Sequence, residues 1–149
     1  MVRKKLLHCT EIICCSDRFV IVGVGRSLFI SVYLPCVGST NRMCVIEEIL
    51  CELNDYICKY NDRHIIIGGD FKTDLDKVNL ASDIINKFAA TNNLHRRGKL
   101  STSDGMCRSD TQCTYYDDSR CVQSALDFFF TNDSGTVLSF ELLDRVMNL

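Results

Sequence analysis

Apolar residues in the first part of the chain occur in short runs separated by polar breaks. Two runs, Thr10–Cys15 and Arg18–Val24, have a polar pair between them, and Leu28–Tyr33 follows a second break at residues 25–27. The runs are rich in β-branched and aromatic residues, and a two-residue polar break is typical of a hairpin. The pattern therefore predicts three consecutive strands in an antiparallel meander.

The hydrophobic period becomes helical between Thr40 and Tyr60. Apolar side chains recur on one face of the projected helix, and charged side chains occupy the other. This predicts an amphipathic helix that packs on a sheet. A second helix is predicted around Ala81–Phe88, ending near Asn92 and Asn93, because asparagine tolerates the left-handed backbone of helix ends.

A strand is predicted between these helices, at the three isoleucines Ile65–Ile67, followed by Gly68, Gly69 and Asp70. An unbroken β-branched run indicates a strand buried on both faces, and with the preceding strand and helix it makes a β-α-β unit. Asp70 is then presented at the end of the strand, where α/β proteins gather ligands. Gly-Gly-Asp is also common in simple turns. This stretch alone therefore leaves open whether Asp70 is a turn residue or a site residue.

The last third of the chain predicts further strands after a polar loop. The loop covers Arg96–Gln112, and the predicted strands and turn are Cys113–Tyr116, Ser124–Thr131, the turn Asn132–Gly135, and Val137–Leu142. Asp127 directly precedes three phenylalanines. A carboxylate near a core is expected to be paired, hydrogen-bonded or bound to metal, since its burial alone is costly.

Composition limits the class of protein. The chain has 149 residues, 46% of them hydrophobic and 24% charged, which fits one globular domain over residues 1–149. The net charge is -2, and no long basic run occurs. These values argue against tight binding of a nucleic-acid backbone, but they permit brief catalytic contact with a polyanion.

Ten cysteines occur without the pattern of a secreted disulfide framework. The N-terminal residues 1–7 are charged without a sustained apolar core, so we expect free thiols in a reducing intracellular compartment, the nucleus or the cytoplasm. No Cys-x-x-Cys pair is present, and scattered thiols predict no zinc site. No apolar run has the length of a membrane span, so no membrane partner is expected.

Five short motifs follow one another in a distinctive order. They are Val32–Pro35, Gly68–Phe71, Thr73–Leu75, Thr114–Tyr115 and Ser124–Asp127. Together they resemble the endonuclease/exonuclease/phosphatase family, in particular the endonuclease domain of LINE-type (non-LTR) retrotransposons. Several motifs in the right order are more specific than any one of them.

The resemblance implies a fold, a reaction and partners. The fold is a four-layered α/β sandwich of two mixed sheets with flanking helices. The reaction is hydrolysis of a phosphodiester in DNA, with a divalent cation, usually Mg²⁺. Such chemistry needs an activated water, a cation that neutralises developing charge, and donors that hold the phosphate.

The resemblance also implies roles for individual residues. Asp70 matches the carboxylate that orients or deprotonates the attacking water, Tyr33 the tyrosine that reaches the phosphate, and Asp127 an aspartate that pairs with a histidine. Substrate contacts fall to Lys72, Thr114 and Ser124. The residues that would ligate the metal are not identified.

This sequence departs from the family pattern in several places. Lys72 replaces the asparagine of the Gly-Asp-Phe-Asn motif, so an amide becomes a cation that only donates and competes with a metal. No motif Asn or Glu precedes Tyr33, no Ser-Asp-His follows the last strand, and the three histidines match no motif position. We therefore expect a fold that is incomplete at the N- and C-termini.

Two functional hypotheses follow. The first is a retrotransposon-type endonuclease domain with weak or no activity, because one missing acid or base costs about a hundredfold to ten-thousandfold in rate and several are absent here. The second is a non-catalytic binding or interaction remnant on the same scaffold. In both cases an incomplete sheet is expected to expose an edge and to favour self-association. A nucleotide hydrolase is disfavoured, because no Walker A motif occurs.

Overall fold

A computed structural model of the chain describes residues 8–97, 115–117 and 122–133. The elements in chain order are β1 (Thr10–Cys15), β2 (Phe19–Val24), β3 (Ser27–Tyr33), α1 (Arg42–Lys59), β4 (His64–Asp70), α2 (Leu80–Thr91), β5 (His95–Arg97), β6 (Tyr115–Asp117), β7 (Val122–Ser124) and β8 (Asp127–Thr131). Six strands form one mixed sheet in the order β1-β2-β3-β4-β8-β5, and β6 pairs with β7. The chain is therefore a mixed α/β domain.

The predicted meander and the β-α-β unit are both confirmed. β1, β2 and β3 pair antiparallel in sequence order, and β4 then pairs parallel to β3 after the helical crossover α1. Helix α1 begins and ends within two residues of the predicted bounds. Helix α2 ends at Thr91 with Asn92 as its C-cap, near the predicted end, and the left-handed residue expected there is Asn93, with a φ of 52°.

The two faces of the large sheet differ in burial. The inner face packs against α1 and α2 and forms the core, in which Ile21, Leu28, Ile65 and Ile67 are almost completely buried. The opposite, outer face is only partly covered. Its apolar residues are Ile12, Val20, Val22, Phe29, Ile66 and Phe129. Four of them, Ile12, Val22, Phe29 and Ile66, lie opposite one another across β1 to β4.

The prediction of a strand buried on both faces is wrong for β4. Ile65 and Ile67 point into the core, whereas Ile66 is only half-buried because it belongs to the outer face. A continuous β-branched run therefore does not prove that both faces of a strand are covered.

Three predictions for the last third of the chain need correction. Arg96 was predicted in a loop but lies in β5, which is held by pairing with β8. The predicted strand Ser124–Thr131 is two strands, because β7 pairs with β6 while β8 joins the large sheet. The strand predicted at Cys113–Tyr116 is observed at Tyr115–Asp117. The remaining predicted segments, Val137–Leu142 and most of the loop before Cys113, lie outside the described residues.

Candidate active site

The three predicted catalytic residues lie in one row across three neighbouring strands. Tyr33, the last residue of β3, is opposite Asp70, the last residue of β4, and Asp70 is opposite Asp127, the first residue of β8. Residues directly opposite on paired strands project from the same face of the sheet. The row therefore lies at one end of the outer face and brings a phenol and two carboxylates together.

Close packing explains the two glycines that precede Asp70. A Cβ atom at Gly68 would overlap the Phe129 ring, which lies across this position from β8. A Cβ atom at Gly69 would overlap the Val32 carbonyl oxygen, and the φ of Gly69 is 147°, a value that side chains disfavour. The glycines thus allow β3, β4 and β8 to approach closely where Asp70 is presented.

Both carboxylate oxygens of Asp70 are engaged by Lys72. The Lys72 backbone N–H donates to Asp70 Oδ1 at 3.0 Å, and the Lys72 ammonium forms an ion pair with Asp70 Oδ2. The hydrogen bond to Asp70 raises the pKa of Lys72, against the lowering effect of partial burial. The ammonium therefore stays charged throughout the neutral range.

Cationic groups surround the Tyr33 ring. The Lys72 Nζ atom is 5.2 Å and the Arg18 Cζ atom 5.8 Å from the ring centroid, both within the range of cation–π contact. The Tyr33 hydroxyl is 4.0 Å from the Cys36 sulfur, and the side chain is 44% exposed. The exposed position of Tyr33 at the end of β3 leaves its hydroxyl accessible, and its contact with a ligand stays a prediction.

Arg42, which the sequence did not single out, ties together the loops that follow β3 and β4. Its Nε atom donates to the Pro35 carbonyl oxygen at 3.0 Å, and its Nη2 atom donates to the Lys72 carbonyl oxygen at 2.9 Å and to Thr73 Oγ1 at 2.6 Å. One guanidinium at the start of α1 thus fixes the loop that carries Lys72 relative to the end of β3.

The environment of Asp127 differs from the prediction. Asp127 was expected near a core, but its side chain is exposed, because β8 alternates and buries Phe128 and Phe130 instead. The other two predicted substrate contacts are not described in the same detail. Thr114 lies outside the described residues, and of Ser124 only the backbone is described, in β7.

The described side chains do not fit a divalent metal at Asp70. Hard cations such as Mg²⁺ need several oxygen ligands, whereas both Asp70 oxygens are already occupied by donors from Lys72. Within residues 8–97 and 125–133, no three His, Cys, Asp or Glu side chains converge as metal ligands. The arrangement instead offers cations and a phenol to an anionic ligand.

Comparison with solved structures finds proteins of similar fold. The endonuclease domain of TRAS1, a telomere-specific non-LTR retrotransposon, is 17% identical to this chain, with a TM-score of 0.58 over 83% of this chain and 56% of that one. The human Nocturnin catalytic domain with bound sulfate anion is 15% identical, with a TM-score of 0.54 over 85% of this chain and 49% of that one. The chain thus spans about half the length of the structures it matches.

These likenesses confirm the predicted endonuclease/exonuclease/phosphatase fold. No family model and no curated protein matches the sequence. Among the described helices, neither is both long and apolar enough to cross a membrane.

Proposed function

We propose that this chain, which has the endonuclease/exonuclease/phosphatase fold, is part of a retrotransposon-type endonuclease domain. In this proposal it contacts the phosphates of DNA and hydrolyses phosphodiester bonds weakly or not at all. The observation that carries the proposal is the row of Tyr33, Asp70 and Asp127 at one end of the sheet. These are the residues to which the family resemblance assigns the phosphate contact and the two carboxylate roles.

The ion pair of Asp70 supports weak or absent hydrolysis. A carboxylate that orients or deprotonates water needs an oxygen lone pair directed at that water, and each donor that it already accepts reduces this capacity. Lys72 engages both oxygens of Asp70, through its backbone N–H and its ammonium. Magnesium, which the resemblance implies as cofactor, would have to displace this ammonium or bind elsewhere.

Contact with DNA would be transient. Arg18 and Lys72 flank Tyr33, but Asp70 and Asp127 belong to the same row, and the net charge of the chain is -2. A site with few cations among its described residues favours short-lived phosphate contacts that weaken further with salt. The chain would act inside the cell in a reducing compartment, and seven cysteines of the described residues are free thiols.

Plasmid nicking tests the proposal. Purified protein is incubated with supercoiled plasmid and Mg²⁺, and the open-circular form is quantified on a gel, with Asp70→Ala and Asp127→Ala as variants. We expect nicking close to the background of the Asp70→Ala variant. Strong nicking by the unchanged chain that Asp70→Ala abolishes would overturn the claim of weak activity, and failure to retard a DNA fragment at low salt would overturn DNA contact.

The outer face favours a second function, that of an interaction module. Ile12 is 76%, Phe29 42% and Phe129 38% exposed, and all three belong to the apolar outer face. Large apolar side chains clustered on one face often mark a site of protein association. We propose that a second copy of the chain covers this face, whereas the sequence alone led us to expect association through a sheet edge.

A further inference from the structure

Arg18 extends the row of site residues by one strand, on the side away from Asp127. The Tyr33 backbone N–H donates to the Arg18 carbonyl oxygen at 2.8 Å. The adjoining residues of β2 and β3, Phe19 and Val32, are paired with each other and buried in the core. Because successive residues of a strand point to opposite faces, Arg18 projects from the outer face beside Tyr33. Its guanidinium lies over the Tyr33 ring, 5.8 Å from the centroid.

A hydrogen-bonded turn between β1 and β2 holds Arg18 at this position. The Ser16 hydroxyl oxygen accepts from the backbone N–H groups of Arg18 at 3.3 Å and Phe19 at 3.0 Å. The same hydroxyl donates to the Phe19 carbonyl oxygen at 3.1 Å. A serine that bonds to the backbone two and three residues further on is a common way to fix a turn. The cation is therefore presented from a defined backbone, next to the phenol that is predicted to reach the phosphate.

The two cations beside Tyr33 differ in what they already bind. The Lys72 ammonium is paired with Asp70, so its charge is neutralised within the site. Among the residues that the structure describes, no carboxylate forms an ion pair with Arg18. A guanidinium is always charged and offers N–H groups in one plane, a geometry that suits phosphate oxygens. Arg18 therefore has both its charge and its side-chain donors available for an anion.

We propose that Arg18, rather than Lys72, holds the DNA phosphate that Tyr33 is predicted to contact. The proposal rests on the proposed function, since it names the cation that binds the substrate at the same site. The extended row has a cation at its β2 end and the two carboxylates at its β4 and β8 end. Carboxylates repel phosphates, so the DNA backbone is expected to pass over the ends of β2 and β3.

The salt dependence of DNA binding tests the role of Arg18. A short fluorescein-labelled duplex is titrated with the unchanged chain, Arg18→Ala and Arg18→Lys, and binding is measured by fluorescence anisotropy at several salt concentrations. We expect Arg18→Ala to weaken binding about tenfold at low salt, because hydrogen bonds between charged groups are lost. The slope of log Kd against log salt should fall by about one, since one phosphate contact disappears. Arg18→Lys should keep the slope but bind more weakly, because an ammonium cannot form the paired hydrogen bonds of a guanidinium.

Arg26→Ala is the matched control. Arg26 lies beyond the far end of β2 from Arg18, and its side chain is exposed. The variant therefore makes the same change of net charge at a distance from the row. We expect its affinity to stay within about twofold of the unchanged chain and its salt slope to stay the same, because distant exposed charges are screened.

Three results would overturn the assignment while the proposed function stands: binding that Arg18→Ala leaves intact, equal losses in Arg18→Ala and Arg26→Ala, or a loss in Arg18→Ala without a change of slope. The last result would mean that Arg18 only supports Tyr33. Absence of DNA binding by the unchanged chain would overturn the proposed function and the assignment together.

A measurement on the unchanged chain keeps the test decisive if circular dichroism shows that Arg18→Ala does not fold. The duplex is added to the isotope-labelled chain, and the arginine Nε–H resonances are followed by nuclear magnetic resonance. We expect the Arg18 resonance to shift and the Arg26 resonance to stay in place. No shift at Arg18, or equal shifts at both arginines, would contradict the proposal.

Discussion

Individual side chains at this site are placed by backbone features that the sequence shows only in part. The positions of Tyr33 and Asp70 at strand ends follow from the apolar runs before them, and the structure places both in one row. Arg42 could not be found in this way, because its partners are oxygen atoms 7, 30 and 31 residues away along the chain. Contacts of that kind depend on how α1 packs against the sheet, which local patterns do not specify.

Gly69 is the residue at which substitution is expected to be most damaging. Gly69→Ala combines a left-handed φ of 147° with an overlap between the new Cβ and the Val32 carbonyl oxygen, and a backbone atom in a paired strand cannot move aside. We expect a loss of about 3 kcal/mol or more in the free energy of unfolding, measured by urea denaturation. Gly25→Ala is the control, since Gly25 has a φ of 57° but open space around it, and is expected to cost about 1 kcal/mol. Similar losses in both variants would contradict the close approach of β3 and β4.

Arg42→Ala is expected to loosen the loop that carries Lys72. The variant leaves the Pro35 and Lys72 carbonyl oxygens and the Thr73 hydroxyl without this donor, and Thr73 is buried. Lost hydrogen bonds to a charged group at a partly buried site are worth about 2 to 3 kcal/mol. Hydrogen exchange at the amides of Lys72 and Thr73 should accelerate together with this loss of stability.

A matched control for Arg42 is Lys77→Ala. Lys77 is exposed and forms an ion pair at 3.2 Å with Asp74, whose side chain is largely buried. Removal of the exposed lysine is expected to cost about 1 kcal/mol or less. If Lys77→Ala and Arg42→Ala have equal effects on stability and exchange, Arg42 does not hold the loops.

At the scale of whole elements, strong hydrophobic periods predicted the structure and weak ones did not. Helix α1 and the meander have long apolar patterns, and both were predicted from them. Strand β5 consists of three polar residues, His95–Arg97, and is a strand because β8 lies beside it. The division of Ser124–Thr131 was missed for a similar reason: β7 and β8 join different sheets, and only the pairing partners reveal the break.

The two helices begin in different ways, which gives a prediction about their caps. The Asn79 side chain accepts a hydrogen bond from the Ser82 backbone N–H at 3.0 Å, and the Ser82 hydroxyl accepts one from the Asn79 backbone N–H at 3.0 Å. Asn79→Ala removes half of this capping box, and we expect it to cost about 1 kcal/mol in urea denaturation, whereas Asn79→Asp should retain most of the stability.

Asn41 before α1 provides the contrasting case. It has a φ of 53° and makes no side-chain cap hydrogen bond. Glycine adopts this conformation without strain, so Asn41→Gly is expected to leave stability unchanged or slightly higher. A loss at Asn41→Gly equal to that of Asn79→Ala would show that the Asn41 side chain stabilises the start of α1 although it makes no cap hydrogen bond.

At the scale of the whole molecule, the two described helices cover one face of the large sheet and not the other. The sequence-based expectation of self-association through a sheet edge did not identify this face, because single-strand patterns do not tell which face the helices will cover. The row formed by Ile12, Val22, Phe29 and Ile66 crosses four strands and supplies a continuous apolar surface. Association of two copies would remove such surface from water.

Sedimentation velocity at increasing protein concentration tests this association. We expect the mean mass of the unchanged chain to rise with concentration, and Phe29→Lys to suppress the rise, because a charge in the middle of the outer face cannot be desolvated cheaply. Val78→Lys is the control: Val78 is 95% exposed and lies outside the strands, so the same change of charge there should leave association intact. A chain that stays monomeric at every concentration, or equal suppression by both variants, would show that the outer face is not the contact surface. Equal suppression by Phe29→Lys and Val78→Lys would mean that net charge or another surface governs the association.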